Sequence, residues 1–317
     1  MICGIIIFNP ELDRLKANIR KLQKENVKIV FFVNGCNFEC DKYINTIENA
    51  IVLTHGKNVG IATALNEIFE CAKKMGEEWV LTFDQDSIIS DEFLLQMTKK
   101  AEKVDEGIAC ICRKVIDKRR IFPANKIVNY EGDEQYVQMC ITSGSYTKVS
   151  AWMQVGKFDD YLFIDLVDND FCKRLIQSGW KILRLNCMEL NQEFGNIEPR
   201  SKKTVEEIKF LCDKVQNKKV AVNISKLAYK KKVSPLRVYY TNRNIIYLNK
   251  KLKKYGGIGY ESYSCRSYVG FIISFVIPSV LRAQNKIAVI KATFDGIVDG
   301  AKSNPEQWTV KSGKKYA

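Results

Sequence analysis

The 317 residues contain 46% hydrophobic residues and carry a formal net charge of +14. This apolar content supplies a sizeable core and excludes wholesale disorder, and no apolar stretch reaches the roughly 20 residues of a membrane-spanning helix. The charge is uneven, because residues 201–260 hold 16 Lys and Arg against 3 Asp and Glu, whereas the first 200 residues have a net charge of −3.

The chain opens on an apolar run without a basic leader, so we expect the first strand of the fold and no signal peptide. The eleven cysteines then favour a reducing, cytoplasmic compartment. Their spacing is irregular, no Cys-x-x-Cys occurs, and His55 is the sole histidine, so structural zinc is not expected. We expect buried, inert thiols.

In chain order, short apolar runs alternate with segments whose apolar residues recur every three or four positions. This alternation predicts an α/β fold with a mostly parallel, helix-covered sheet. The polar stretch 115–138 predicts hairpins or a flexible lobe, and the basic sequence after residue 195 predicts helices, one starting at Pro235. The predicted strands are Ile2–Phe8, Val27–Val33, Ile51–Thr54, Trp79–Phe83, Gly107–Cys112, Val137–Thr142 and Trp180–Leu185; the predicted helices begin near Leu12, Ile61, Asp91 and Val167.

Two carboxylates, Asp84 and Asp86, follow the fourth predicted strand directly. Open α/β sheets bind ligands at the carboxyl ends of their strands, and an Asp-x-Asp pair offers hard oxygen ligands to Mg²⁺ or Mn²⁺. The alternative is a loop in which these acids cap a turn and the next helix.

Other polar residues follow the neighbouring strands. Asn9, Asn34 and Asn58 end the first three strand regions, so a crevice is expected along that edge. The segment 143–145, Ser-Gly-Ser, could hold a phosphate or a sugar through its amides and hydroxyls, or be a plain turn.

Three acids lie at the start of the helix predicted near Val167, namely Asp165, Asp168 and Asp170. Acids at a helix amino terminus compensate the helix dipole. Three within six residues exceed what capping requires, so we expect at least one to meet a ligand, a metal or a hydroxyl that loses a proton.

The order of these motifs resembles family-2 inverting glycosyltransferases of the GT-A fold, over residues 2 to about 300. The Asp-Gln-Asp-Ser segment at 84–87, the Phe-Ile-Asp-Leu-Val-Asp segment at 163–168 and the segment 234–244 resemble the bacterial rhamnosyltransferase branch. The resemblance implies a Rossmann-like nucleotide-sugar-binding catalytic domain at residues 1–200 and a basic helical region at 201–317 for acceptor or membrane contact.

Residue by residue, the resemblance implies that Asp168 is the general base, with Asp165 and Asp170 as its neighbours. Asp86, with Asp84, would hold Mn²⁺ or Mg²⁺ against the donor diphosphate. Val33 stands where the family usually has Asp, and the usual metal-binding His is absent, with Gln192 in the matching stretch. The residues expected around the donor are Asn9, Asn34, Asn58, Asn66, Asp84, Ser143, Gly144 and Arg243.

The expected function is transfer of L-rhamnose from dTDP-rhamnose to a polyprenyl-diphosphate-linked glycan in bacterial surface polysaccharide synthesis. A hexosyl or galactofuranosyl transferase using a UDP-sugar is the alternative. The apolar run Tyr268–Leu281 is expected to lie in the membrane interface beside the basic segment, or to pack on the main domain. A homodimer through the carboxy-terminal region is a further expectation.

Two alternatives come from outside this class. Tyrosines interleaved with the basic segment could stack nucleic-acid bases, although no recognised nucleic-acid module is visible. Nucleotidyl transfer would also use Asp-x-Asp and Mg²⁺, but the acids at 165–170 and the lack of a Gly-rich lysine loop argue against it. The interleaved tyrosines are Tyr239, Tyr240, Tyr247 and Tyr255.

Overall fold

The structure, a computed structural model, describes residues 2–25, 27–87, 93–120, 132–192, 197–255, 265 and 267–310. The strands are β1 (Ile2–Phe8), β2 (Lys28–Gly35), β3 (Ile51–Thr54), β4 (Trp79–Asp84), β5 (Ile108–Ile116), β6 (Glu134–Val137), β7 (Ser145–Lys148), β8 (Lys181–Asn191), β9 (Ile197–Pro199) and β10 (Tyr229–Lys231). The α-helices are α1 (Leu12–Lys24), α2 (Phe38–Ile44), α3 (Ile61–Lys74), α4 (Phe93–Ala101), α5 (Val149–Gln154), α6 (Val167–Gln177), α7 (Lys202–Lys214), α8 (Lys218–Ser225), α9 (Pro235–Lys251), α10 (Tyr268–Phe271), α11 (Ile277–Arg282) and α12 (Lys286–Lys302).

Eight strands form one sheet in the order β3-β2-β1-β4-β7-β5-β8-β6. Strands β6 and β7 run antiparallel to their neighbours, and the pairings of β1 with β2 and β4, of β2 with β3 and of β5 with β8 are parallel. The predicted mostly parallel, helix-flanked sheet is therefore confirmed. The carboxyl ends of β1, β2 and β4 meet at one edge.

The central strands are buried on both faces, as parallel strands covered by helices require. Ile2 and Phe32 belong to the core cluster on one face of the sheet, whereas Cys3 and Phe31 belong to the cluster on the other. This explains why β1 and β2 are continuous apolar runs rather than alternating ones. Seven of the eleven cysteines are buried in the same manner, and none is in a disulfide.

The predicted strand Val137–Thr142 is wrong, because β6 ends at Val137 and β7 begins only at Ser145. The backbone between these two strands makes hydrogen bonds to side chains instead, since the Thr142 carbonyl accepts from the Thr82 hydroxyl at 2.7 Å. The predicted irregular stretch 115–138 contains the strand β6, which pairs with β8, while residues 121–131 lie outside the described residues. Asp91 and Glu92, at the start of the third predicted helix, also lie outside them.

The carboxy-terminal helices pack directly on the sheet domain. Leu248 of α9 and Phe271 of α10 are buried in the same core cluster as α3. Helix α12 crosses α9 closely, because a Cβ at Gly296 would lie 2.4 Å from the carbonyl oxygen of Tyr239 and one at Gly300 2.8 Å from that of Arg243. Across the part of the chain that the structure describes, no helix is long and apolar enough to cross a membrane.

Candidate active site

Asp84 and Asp86 lie at the carboxyl end of β4, in a tight turn closed by the Ser87 amide, which donates to the Asp84 carbonyl at 3.1 Å. Between them, Gln85 turns away from the acids. Its amide pairs with both backbone groups of Phe8, at 2.7 and 2.8 Å, and so ties the end of β4 to the end of β1. The middle residue of the Asp-x-Asp motif is therefore structural.

Gln192, the residue after β8, joins the acidic turn from the opposite side. Its Nε2 lies 3.0 Å from Asp84 Oδ2 and 3.5 Å from Asp86 Oδ1, and its Oε1 accepts from the Ser87 hydroxyl at 2.6 Å. The two carboxylates thus converge on one buried amide nitrogen. The sequence analysis identified Gln192 but not Ser87 as a site residue. Nothing in the motif indicates that the Ser87 hydroxyl contacts Gln192.

The carboxylate of Asp84 is electrostatically crowded. The side chain is accessible from the crevice, yet the surrounding protein removes much of its water, and the negative charges of Asp86 and Asp168 add to this effect. Together they raise the pKa of Asp84 to about 7, while the hydrogen bond from Gln192 limits the rise. Two acids that repel each other in this way are a ready donor pair for a cation.

Asp168 lies in the first turn of α6 and accepts a hydrogen bond from the Thr142 amide at 3.3 Å. Loss of surrounding water raises the pKa of Asp168 to about 6, although the contact with Thr142 opposes the rise. The half-buried side chain borders a cavity of about 260 Å³, which Met139, Arg113 and Arg184 also line. The carboxylate therefore has both a fixed position and room beside it.

Two adjacent residues hold the two acidic motifs together. While the Thr142 amide donates to Asp168, the Ser143 hydroxyl accepts from the Asp84 amide at 3.0 Å and lies 2.6 Å from the Ser87 hydroxyl. Gly144 has a φ of 69°, and a Cβ there would lie 2.1 Å from the guanidinium of Arg113, so the turn requires glycine. This turn holds the acids of β4 and the first acid of α6 close enough for their charges to interact.

The other two acids of the second motif are in ion pairs. Asp165 accepts from Arg237 and Thr241 of α9. Asp170 is fully buried, and its two carboxylate oxygens accept from Arg174 and Lys251. Burial by itself would raise the pKa of Asp170, but these two cations outweigh it and lower the pKa.

Helix α9 fixes the backbone that leads into α6. Asp165 and Leu166 have φ values of 65° and 67°, which are rare for residues other than glycine and asparagine. Asn244 of α9 donates to the carbonyls of Ile164 and Asp165, at 2.9 Å each. Strained backbone of this kind persists only where its surroundings hold it, and here it sets the position of Asp168.

The asparagines predicted near the donor differ in their surroundings. Asn34 is buried and shapes the loop before α3, since it donates to the Gly60 carbonyl and accepts from the Val59 amide, both at 3.0 Å. Asn58 accepts from the Gly60 amide at 3.0 Å, in the same loop. Asn9, at the end of β1, has a φ of 45° and donates its amide to Gly35.

Asn66 and Arg243 make protein contacts on every side. The Asn66 amide donates to the Phe158 carbonyl and accepts from the Trp152 indole at 3.0 Å, so it anchors the segment before α6. Arg243 stacks on Tyr161, with 4.1 Å to the ring centroid, and on Tyr240.

Two of the tyrosines considered for base stacking pack within the protein. The ring of Tyr240 stacks on Phe163 at 4.9 Å and that of Tyr247 on Tyr161 at 4.2 Å.

Residues 4–161 match the family profile described as Glycosyl transferase family 2. The chain carries a family-2 glycosyltransferase domain. Among curated proteins it is similar to the dTDP-rhamnosyl transferase RfbF of Shigella flexneri, with 31% identity over 185 residues, which cover 55% of this chain and 62% of that protein. The chain thus spans less than two thirds of that relative.

A solved structure shows the same fold. A glycosyltransferase crystal structure, that of GalNAc-T7 with UDP, GalNAc and Mn²⁺, superposes with a TM-score of 0.50 and 12% identity, covering 87% of this chain and 56% of that one. The structure of S. aureus TarS gives a TM-score of 0.45 and 13% identity, covering 95% and 55%. The family-2 domain therefore has the GT-A architecture that the sequence predicts.

Proposed function

We propose that this glycosyltransferase moves a sugar from a nucleoside diphosphate to an acceptor hydroxyl, with inversion at the anomeric carbon. One observation supports the proposal above all: neighbouring residues Thr142 and Ser143 hold Asp168 on one side and Asp84 on the other. An inverting transferase needs a base on one side of the sugar and charge neutralisation on the other, and these acids are our candidates for the two roles.

Asp168 is the proposed general base. With a pKa near 6, the Asp168 carboxylate is mostly ionised at neutral pH. Its pKa also lies close to the working pH, which is where a general base is most efficient. The acceptor hydroxyl would enter through the cavity that Asp168 lines. Its oxygen attacks the anomeric carbon as the bond to the diphosphate breaks, and its proton passes to Asp168. Asp165 and Asp170 then position α6 rather than touch the substrate.

Asp84, Asp86 and Gln192 are the proposed contacts for a divalent cation. Among the described residues no group of three or more His, Cys, Asp or Glu side chains forms a metal site by itself. Two converging carboxylates nonetheless fit Mn²⁺ or Mg²⁺, whose remaining ligands come from phosphate oxygens, water and, after rotation of its amide, Gln192. Such a cation would neutralise the departing diphosphate. Arg237, whose charge lowers the pKa of Asp84, adds positive charge nearby.

The proposed donor is dTDP-L-rhamnose, supported by the rhamnosyl transferase among the relatives. Asn34 and Asn58 shape the loop expected beside the base, with Asp84 at the ribose. A UDP-sugar donor, for hexosyl or galactofuranosyl transfer, is the second candidate, because the GalNAc-T7 structure with the same fold contains UDP.

The proposed acceptor is a glycan on polyprenyl diphosphate, reached by docking on an anionic membrane. Segment 268–282 buries Phe271 in the main core but exposes other apolar side chains, and α12, the next helix, exposes apolar side chains as well. Arg282, Lys286 and Lys291 lie in the same segments, as docking on anionic lipid requires. The exposed apolar side chains are Val269, Ile273, Ile277, Leu281, Ile287, Ile290 and Phe294.

Vesicle co-sedimentation tests the docking surface. The full chain should pellet with phosphatidylglycerol vesicles at low salt and less so at high salt, because salt screens the lysines and arginines. Ile287→Ser with Phe294→Ser should weaken binding, and the matched exposed pair Phe210→Ser with Leu211→Ser should not. Lack of binding at low salt, together with a stable dimer in solution, would assign this face to self-association instead.

Thermal-shift measurements with nucleotides test the function. Ligands that bind the folded state raise Tm by mass action. We expect dTDP-sugars, with Mn²⁺ present, to raise Tm more than UDP-sugars do. If neither class of nucleotide sugar raised Tm, the proposal would be contradicted. A larger shift with UDP-sugars would favour the second candidate.

A further inference from the structure

Cys110, Cys140 and Cys172 meet beside the candidate base, and Cys112, on the same strand as Cys110, also interacts with Cys140. Cys110 lies on β5, Cys172 on α6 and Cys140 in the segment between β6 and β7. The Sγ of Cys140 lies 3.6 Å from that of Cys110 and 3.7 Å from that of Cys172. Because the three come from elements distant in sequence, the spacing of the cysteines along the chain does not reveal this cluster.

The cluster is accessible from the active site through one member. Cys110 and Cys172 are buried, whereas Cys140 is half-buried and lines the same 260 Å³ cavity as Asp168. A small solute in the crevice therefore meets Cys140 first. The hydrogen bond between the two thiols lowers the pKa of Cys110 and raises the pKa of Cys140, so Cys110 is the thiol of the pair that gives up its proton more readily.

We propose that Cys140 and Cys110 form a reversible disulfide when the protein meets a hydroperoxide, and that this bond stops glycosyl transfer. The effect on transfer rests on the function proposed above, whereas the disulfide itself does not. The cysteines of this chain are thus not all inert, because one pair is proposed as a modification site next to the base.

The chemistry balances with the hydroperoxide as the only co-reactant. One thiolate of the pair attacks the peroxide oxygen, the O–O bond breaks, and the products are a sulfenic acid and hydroxide, which takes up a proton to become water. The second thiol then attacks the sulfenic sulfur, the S–S bond forms, and a second water leaves. The two thiols lose two electrons and two protons in total, and the peroxide is reduced.

The disulfide would disturb the turn that holds both acids. A disulfide is about 2.05 Å long, so the two sulfurs, now 3.6 Å apart, must approach each other by about 1.5 Å. Cys140 is two residues before Thr142 and three before Ser143, the residues that contact Asp168 and Asp84. Since a displacement of about 1 Å can cost on the order of 100-fold in rate, we expect a tenfold to 100-fold loss of transfer.

Peptide mass spectrometry tests the disulfide directly. The full chain is reduced, treated with hydrogen peroxide, blocked with iodoacetamide and digested without reductant. A peptide joining Cys110 to Cys140 is expected, and dithiothreitol should remove it. Cys140→Ser should abolish the joined peptide, while Cys172→Ser should keep it. An unmodified Cys140 under conditions that oxidise the exposed Cys187, or a link to Cys172 instead, would overturn the assignment.

Activity measured on the same samples tests the switch. The ratio of oxidised to reduced activity should fall at least tenfold in the wild type, recover with dithiothreitol, and stay near one in Cys140→Ser. Cys187→Ser, the matched control, should lose activity as the wild type does. A joined peptide without loss of transfer would refute the switch. A reduced protein inactive with every donor would instead contradict the proposed function, with the peptide evidence unaffected.

Discussion

The side-chain amide of Gln192 donates to the carboxylate of Asp84 at 3.0 Å, although the two residues lie 108 positions apart, after β8 and at the end of β4. The same nitrogen lies 3.5 Å from Asp86. A neutral amide thus occupies the side of the acidic pair where an imidazole would complete a metal site. An N–H group satisfies carboxylates but gives no lone pair to a cation.

Gln192→His should therefore strengthen metal binding. The imidazole nitrogen adds a ligand beside Asp84 and Asp86. We expect the affinity for Mn²⁺ to rise on the order of tenfold, which is the lower end of the change seen when residues around a metal site are mutated. Calorimetric titration of Mn²⁺ in the presence of dTDP measures it. Gln284→His, the same change on the exposed loop before α12, is the control. Equal affinity in wild type and Gln192→His would place the cation elsewhere.

The pH dependence of transfer should report Asp168. Its raised pKa means that the base form is lost as pH falls through about 6, so kcat/KM should decline by about tenfold per pH unit below that value. Asp84, with a pKa near 7, should add a second decline through weaker metal binding, which saturating Mn²⁺ removes. A profile flat from pH 8 to pH 5 at saturating Mn²⁺ would argue against a carboxylate base.

Asp84→Asn should stabilise the protein while impairing transfer. The pKa of Asp84 is raised in the folded state, so folding favours the protonated acid, and the ionised form destabilises the fold increasingly as pH rises from about 4 to 7. The variant should thus have a higher Tm than the wild type at pH 8, with the difference vanishing near pH 4. A lower Tm than that of the wild type at pH 8 would mean that the Asp84 carboxylate stabilises the fold, which would contradict its inferred repulsion by Asp86 and Asp168.

Asp170→Asn should destabilise the fold. The change leaves the buried Arg174 without its carboxylate partner and Lys251 with Asp159 alone, and breaking a buried pair in this way costs about 3–5 kcal/mol. Urea unfolding at pH 7 measures the loss. Because the pKa of Asp170 is lowered, its contribution is present above the ordinary pKa of Asp and is lost as pH falls towards the folded-state value.

A compensating change separates this structural role from catalysis. Adding Arg174→Met to Asp170→Asn should recover part of the stability, since it removes the buried cation that the first change leaves without a carboxylate. A soluble Asp170→Asn variant with wild-type stability and no transfer would instead assign Asp170 to catalysis.

Much of the fold follows from sequence because hydrophobic periodicity reflects burial. The strand Ile2–Phe8 and the edge carrying Asp84 and Asp86 are predicted directly, since parallel strands buried on both faces give unbroken apolar runs. Strand β7 is not predicted, because its four residues, Ser145–Lys148, are buried by pairing with β4 and β5 rather than by an apolar pattern.

The sequence predicts which acids belong to the candidate site, but it does not predict which role each acid has. Asp165, Asp168 and Asp170 look equivalent along the chain. Arg174 pairs with Asp170 within α6, but it is the position of α9, which brings Arg237 to Asp165 and Lys251 to Asp170, that separates all three. The contacts from α9 span more than 70 residues, and local sequence patterns carry no information about them.

The most direct measurement is transfer by Asp168→Asn, compared with its binding of dTDP. Asparagine keeps the size of the side chain and its contact with the Thr142 amide but cannot take a proton, so transfer should fall by about 10²–10⁴-fold, the usual contribution of a general base. Binding of dTDP by calorimetry should stay within about threefold, because Asp168 does not touch the nucleotide side of the crevice in this account. Near-wild-type transfer by Asp168→Asn would contradict the account.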